Sequence, residues 1–358
     1  ILAFIAMLYI RKNTLINKKN FSMFMFIMAF YLIATFLNSN SIPMKVTDMI
    51  TIPIKFISVA IITSKISYKD FRQKYIMVMG LIAVVSLPCF LIYFISPGTT
   101  VPGTKHFPEI PMYGTFYYNY GSNPELSDLY RNAGVFLEGG LHAVYEVIAV
   151  MFAVSGNSKY KKQEIILFSI VTITTFSSTG LISLVIVLIC LIFIRDDAST
   201  NKKYITVLLL LLICLAFEST TGLVSNKLVE KGGSYTTRHD DTLVTLKIAT
   251  ERPILGTGAA SEVSDLFETS SNITGRFGTG VVSRSNGVAN FAIKWGFPMT
   301  ILYFILMYIN GKTIFHCSCF VTFVFTMVLF LNLNSQPIMI TPFFYTFFFK
   351  WRDDDWKY

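Results

Sequence analysis

Three arginines stand where an otherwise apolar chain has little use for charge. Arg131 precedes an apolar segment in Arg131-Asn132-Ala133-Gly134-Val135-Phe136-Leu137-Glu138, Arg238 heads Arg238-His239-Asp240-Asp241, and Arg284 comes just before another apolar segment. A guanidinium is always charged, and its planar fork of donors matches two phosphate oxygens at once. Three of them at helix ends on one side of a membrane can converge on a single anionic group. Snorkelling of each arginine to the interface is the alternative. Glu138, His142 and Glu146 are spaced four apart and so share one face of a helix. An ionisable group left in hydrocarbon costs about 2.5 kcal/mol or more, so this face is either functional or a network sealing helices together, for which Lys294 could be the counter-ion.

Other chemistries find less support. The five cysteines, Cys89, Cys190, Cys214, Cys317 and Cys319, all fall in apolar segments, so no external disulfide framework is expected. Cys317 and Cys319 are two apart on an expected helix and point away from each other. With four scattered histidines and no HExxH or CxxC, neither a metal site nor a cofactor is expected. Gly256-Thr257-Gly258 lacks the lysine and the strand of a phosphate loop and is read as a turn after Pro253.

The elements that must position these residues follow from composition. Of 358 residues, 53% are hydrophobic and 14% charged, and the mean hydropathy is +0.57, which excludes an ordinary soluble domain. A span needs roughly 20 apolar residues, and the apolar runs supply about ten to twelve such elements. They are continuous rather than alternating, which argues against an outer-membrane barrel and for an all-α polytopic membrane protein forming a single transmembrane domain over 1–358. Apolar segments fall near 1–10, 21–37, 46–63, 75–96, 138–155, 165–177, 181–194, 203–217, 288–309, 314–333 and 335–349. The first is short and is expected to be a helix cut at its start. No cleavable leader is expected, because the chain opens in an apolar run without a basic stretch.

The excess of 30 Lys and Arg over 21 Asp and Glu would suggest nucleic acid in a soluble chain. Here it records topology. With residues 11–20 inside, the inside loops hold Arg11 to Lys19, Lys65 to Lys74, Lys159 to Lys162, Arg195 to Lys203, Lys312 and Lys350 to Lys357, whereas the shorter outside loops hold only Lys45, Lys105 and Arg131. That assignment requires 165–194 to be two short helices turning at Ser177-Ser178-Thr179-Gly180. One long tilted helix is the alternative. A first external loop at 97–137 and a longer one at 218–287 then face outside. The first is rich in Pro, Gly and Tyr, which suits stacking on sugar faces or an interfacial aromatic belt. The second contains Leu243, Val244, Leu246, Ile248 and Ala249 after Arg238, expected as a short amphipathic helix lying on the membrane.

The run from Arg131 to Glu138, the Thr174 to Gly180 turn, Thr237-Arg238 through Pro253-Ile254-Leu255-Gly256-Thr257-Gly258, and Ser285-Asn286 followed by Gly296 together resemble the O-antigen polymerase and O-antigen ligase superfamily. The resemblance covers 131–300 well and implies a glycosyltransferase C type architecture in the bacterial cytoplasmic membrane, with the long loops on the external side. It further implies undecaprenyl diphosphate-linked glycans as donor and acceptor, with neither metal nor nucleotide sugar, and leaves room for a chain-length regulator as partner. In the ligase branch, which transfers glycan to lipid A-core, a His-Asn pair opens the last motif; Ser285 stands in place of that histidine here. This favours the polymerase branch, which joins repeat units. Asn286, the second member of the pair, is expected to bind substrate.

A lipid diphosphate is its own leaving group, so a catalyst must stabilise charge developing on the diphosphate and place an acceptor hydroxyl opposite it. Arg238 and Arg284 are expected to hold the donor diphosphate, and Arg131 to assist or to hold that of the acceptor. His239, Asp240, Asp241 or Glu138 could serve as general base, and Asp240, Asp241 and His142 are also expected at the substrate. Two other classes remain. A flippase for the same lipids would show repeated halves with groups near the midplane, which the hydropathy does not. A non-enzymatic scaffold would make the loop arginines individually dispensable.

Overall fold

The computed structural model describes residues 16–39, 44, 46–96, 112–113, 116–120, 130–136, 138–194, 200–221, 234–259 and 286–352. The expected segment 1–10, together with Arg284 and Ser285, lies outside the described residues. The helices are α1 (Lys18–Asn38), α2 (Val46–Lys65), α3 (Tyr68–Ile95), α4 (Gly139–Ser155), α5 (Lys161–Thr174), α6 (Ser178–Ile194), α7 (Thr200–Thr221), α8 (Ser234–Glu251), α9 (Gly287–Phe315), α10 (Cys319–Ser335) and α11 (Pro342–Tyr345). Lys18–Asn38, Val46–Lys65, Tyr68–Ile92 and Gly287–Phe315 are long and apolar enough to cross a membrane, and Gly139–Ser155, Ser178–Ile194 and Cys319–Ser335 are shorter apolar helices. Phe36, Met77, Leu81 and Ile301 are each at least 60% exposed on the long helices, a distribution that water would penalise and lipid tolerates. The protein is thus a mostly helical, multi-span membrane protein.

Four features depart from the expectations. Residues 165–194 do form two helices rather than one, but the turn is Thr175-Phe176-Ser177, two to three residues earlier than expected. Phe176 takes the left-handed φ of 47°, and the Ser177 hydroxyl accepts from the Gly180 amide at 3.3 Å, so Ser178 to Gly180 already form the first turn of α6. The apolar stretch 335–349 is no span: Pro337 and Pro342 break it into turns, the four-residue α11 and a 3-10 turn at Thr346–Phe348. Cys317 lies in the connection before α10 and shares no helix with Cys319. The fold is also not purely helical. Within 97–137 the chain forms an antiparallel sheet of β1 (Met112–Tyr113), β2 (Phe116–Tyr120) and β3 (Tyr130–Gly134), with Tyr118 opposite Asn132 and Asn119 opposite Arg131.

The chain divides into two compact units, one of residues 1–72, 238–316 and 333–358, the other of 73–237 and 317–332. In the first, a cluster of aromatic rings forms the core: Phe56 stacks on Tyr345 with centroids 4.1 Å apart, and Trp295 meets Tyr31 at 5.2 Å and Phe291 at 5.8 Å. The irregular segment after α10 belongs to this core. Its carbonyls find side-chain donors, as irregular backbone among apolar helices requires: Tyr303 Oη on Phe344 at 3.0 Å, Asn310 Nδ2 on Phe347 at 2.7 Å and Asn20 Nδ2 on Lys350 at 2.9 Å. In the second unit, α4 is buried along nearly its whole length, with α5, α6 and β3 packed against it.

Candidate functional site

In the first unit the site is built on α8 and the N-terminal half of α9. α8 begins at Ser234 and stops at Glu251, two residues before Pro253. Its apolar face, Val244, Ile248 and Ala249, packs on Ala292 and Ile293 of α9. Over the stretch expected as an amphipathic helix on the membrane, α8 turns Val244, Ile248 and Ala249 onto protein, while Leu243 and Leu246 stay exposed. Asn286 caps α9: its Oδ1 accepts from the Ala289 amide at 3.0 Å, and its Nδ2 donates to Thr242 Oγ1 on α8 at 3.1 Å. Thr242 lies one turn after position 238 in the same helix. Gly287 follows because its α-carbon sits directly on the Leu333 and Gln336 carbonyls, leaving no space for a β-carbon.

The opposite end of this helix pair is fastened first by backbone hydrogen bonds. α9 is broken at Gly296, whose φ is 73°, with Pro298 two residues on. In an unbroken helix the Ile293 carbonyl would take the Phe297 amide, and the Lys294 carbonyl would take an amide that Pro298 lacks. Those two carbonyls accept instead from Thr257 at 2.8 Å and Gly258 at 3.0 Å, and the Phe297 amide donates to the Pro253 carbonyl at 2.8 Å. The Pro253–Gly258 loop thus replaces the bonds that the break removes. Gly256, at φ 66°, lies so close that a β-carbon would stand 2.6 Å from the Gly296 nitrogen. α1 closes the joint, with Asn38 Nδ2 on the Gly256 carbonyl at 3.0 Å and the Ala259 amide on Thr35 Oγ1 at 2.9 Å. The expected turn after Pro253 is present, and the Thr257 and Gly258 amides that a phosphate loop would offer to a ligand are spent on the helix.

Lys294 does not serve the Glu138, His142 and Glu146 face. It pairs with Asp48 in the first turn of α2, both side chains being partly buried. A charge stripped of its partner in an apolar helix bundle is costly. Replacing Lys294 alone by Leu should therefore destabilise the protein by about 2 kcal/mol, and adding Asp48→Leu should recover most of it. Thermal unfolding of the detergent-purified variants checks this, and equal losses in the single and double variants would contradict it.

The second unit holds Arg131, Glu138 and His142. Arg131, on β3, is half-buried, and its Nε–H donates to the Thr175 carbonyl in the α5–α6 turn at 2.9 Å. Asn132 is buried, and its Nδ2 donates to Thr174 Oγ1 at 3.2 Å. Gly139 sits against the same Thr175 carbonyl. Two separate motifs, Arg131 to Glu138 and Thr174 to Gly180, are thereby joined. His142 and Glu146 are fully buried, whereas Glu138 is the exposed residue before α4 and does not share their setting.

His239 is exposed on α8, and for Arg238, Asp240 and Asp241 the described part is the helical backbone. Thr242, Asn132 and Thr175 were not anticipated. A threonine inside a helix, an asparagine in a strand and a backbone carbonyl carry no signal of this kind in sequence.

Residues 165–304 match the family model described as O-Antigen ligase. The matched stretch contains α8, the Pro253–Gly258 joint, Asn286 and Gly296, and begins after Arg131, Glu138 and His142. Comparisons with curated proteins and with solved structures returned no match. Through residues 165–304, about two fifths of its length, the chain is similar to the O-antigen ligase family.

Proposed function

We propose that the protein joins undecaprenyl diphosphate-linked oligosaccharide repeats into a polysaccharide, O-antigen or capsule-like, at the outer face of the bacterial cytoplasmic membrane. The observation that carries this is the clamp of α8 on α9: the Asn286–Thr242 hydrogen bond ties the capped N-terminus of α9 to the helix that bears Arg238. Arg238 and Arg284 hold the donor diphosphate, with Asn286 lending its rigid cap to the same place. An acceptor hydroxyl attacks the anomeric carbon of the donor. The new C–O bond forms as the carbon–phosphate-oxygen bond breaks, the electron pair leaves with the lipid diphosphate, and the hydroxyl proton passes to a base. His239 or Glu138 takes that proton, Asp240 and Asp241 contact the sugar hydroxyls, and inversion follows from a single in-line displacement. Arg131, with His142 nearby, serves the acceptor diphosphate. Two guanidiniums neutralise the leaving group without a metal.

About ten spans lie in a glycosyltransferase C type arrangement, with long loops on the periplasmic side and a chain-length regulator as partner. A ligase transferring glycan to lipid A-core is the second reading, favoured by the description of the matched family model and opposed by Ser285. Incubating purified protein in EDTA with a lipid diphosphate-linked repeat, with and without lipid A-core, tests both. A ladder of repeat multiples without lipid A-core is the expected product. Product formed only on lipid A-core would establish the ligase instead, and no product with either acceptor would turn attention to a flippase.

A further inference from the structure

We infer that His142 and Glu146 form a shared-proton clasp that holds the backbone of β3 and thereby positions Arg131. Nδ1 of His142 is 3.1 Å from the Asn132 carbonyl oxygen, and Nε2 is 3.1 Å from Oε1 of Glu146. A carbonyl only accepts, so Nδ1 carries a hydrogen. The Nε2–Oε1 contact then needs a second proton between the two atoms, whether it is written as imidazolium with carboxylate or as imidazole with carboxylic acid. Both forms have no net charge, as two fully buried side chains require. Removing that proton breaks one of the two bonds: either the imidazole lone pair faces the carboxylate, or the ring changes tautomer and its lone pair faces Asn132. The clasp therefore grips the strand only with both protons in place.

The strand is shaped to the ring. Gly134, at φ 55°, lies so close to the imidazole that a β-carbon would stand 2.8 Å from Cε1, and its amide donates to Asn132 Oδ1 at 3.1 Å. With the Asn132 carbonyl held by His142 and Arg131 Nε held by Thr175, residues 131 and 132 are fixed from two sides. Oε2 of Glu146 has no hydrogen-bond partner among the described residues, so His142 is the group that hydrogen-bonds the carboxyl, with the phenol of Tyr75 the other titratable group near it. His142 and Glu146 are positioning residues that act through Arg131, and the functional part of this inference rests on the role proposed for Arg131 above.

Two variants separate a clasp from a mere seal. Glu146→Gln keeps a donor for Nε2 and leaves Nδ1 on Asn132, whereas Glu146→Leu fills the space and removes the partner. Amide hydrogen exchange of the 130–136 peptide is expected to rise about tenfold in Glu146→Leu and to stay at the wild-type rate in Glu146→Gln. Polymer formation should fall about tenfold in Glu146→Leu alone, and Glu146→Leu should add nothing to Arg131→Ala in a double-variant cycle. Unchanged exchange in Glu146→Leu, identical behaviour of Gln and Leu, or additive losses with Arg131→Ala would overturn the inference. The exchange pattern needs no turnover, so a wild-type protein that shows it but makes no polymer would retain the clasp and refute the polymerase.

Discussion

Replacing Arg238 by Ala is expected to abolish polymer while the protein accumulates to its normal level. A guanidinium on a leaving diphosphate stabilises charge that grows only in the transition state. Removing one such donor from a water-poor site costs about 100- to 1,000-fold in rate. Position 238 lies in the second turn of α8, one turn before the Thr242 that Asn286 holds, and the stripe that fixes α8 to α9 begins only at Val244. The substitution therefore leaves the residues of that stripe unchanged. Arg238→Lys keeps the charge and loses the fork, so it should retain a small part of the activity. Gel analysis of surface polysaccharide, with immunoblotting for the protein, separates the outcomes. Wild-type chain lengths in Arg238→Ala would remove it from the site.

Replacing Gly296 by Val is expected to have the opposite signature, with loss of the protein itself. The residue sits at φ 73° with its α-carbon against the Ile254 carbonyl, so a side chain meets both an unfavourable backbone conformation and a collision with main-chain atoms. Opening the joint would also return the Ile293 and Lys294 carbonyls to an apolar interior without donors. Together these terms amount to more than about 3 kcal/mol, a large share of a typical folding free energy. Gly256→Val should behave alike. Thr257→Val is the control, because Thr257 contributes its backbone amide to the joint and its hydroxyl has no partner among the described residues. That variant should fold and retain activity. Size-exclusion profiles of the detergent extracts read all three, and a monodisperse Gly296→Val protein with normal stability would show that the joint is dispensable.

The parts legible in the sequence are those set by the solvent. Lipid demands long apolar helices, so α1, α2, α3 and α9 could be read from hydropathy, and the basic flanks at Lys159 to Lys162 and Arg195 to Lys203 required two helices between them. The position of that turn could not be read, because it depends on the left-handed φ of Phe176 and the cap by Ser177. The 335–349 segment is apolar enough to span, yet its rings fill a protein core and its carbonyls are satisfied by Asn20, Tyr303 and Asn310 from distant helices. Within the site, the amphipathic stripe of α8 could be read from spacing. The joint could not. Gly256 and Gly296 are forty residues apart, and only their contact shows that one motif repairs the helix broken by the other. Lys294 misled for a similar reason, since its partner Asp48 is 246 positions away.

Photocrosslinking tests the central claim most directly. Purified protein would be mixed with a lipid diphosphate-linked repeat carrying a photoreactive group next to the diphosphate, irradiated, digested and mapped by mass spectrometry. Label on peptides containing Arg238 or Arg284 to Asn286, competed away by unlabelled repeat, is the result predicted. Competable label confined to 112–136, or to α10, would place the diphosphate elsewhere and contradict the account.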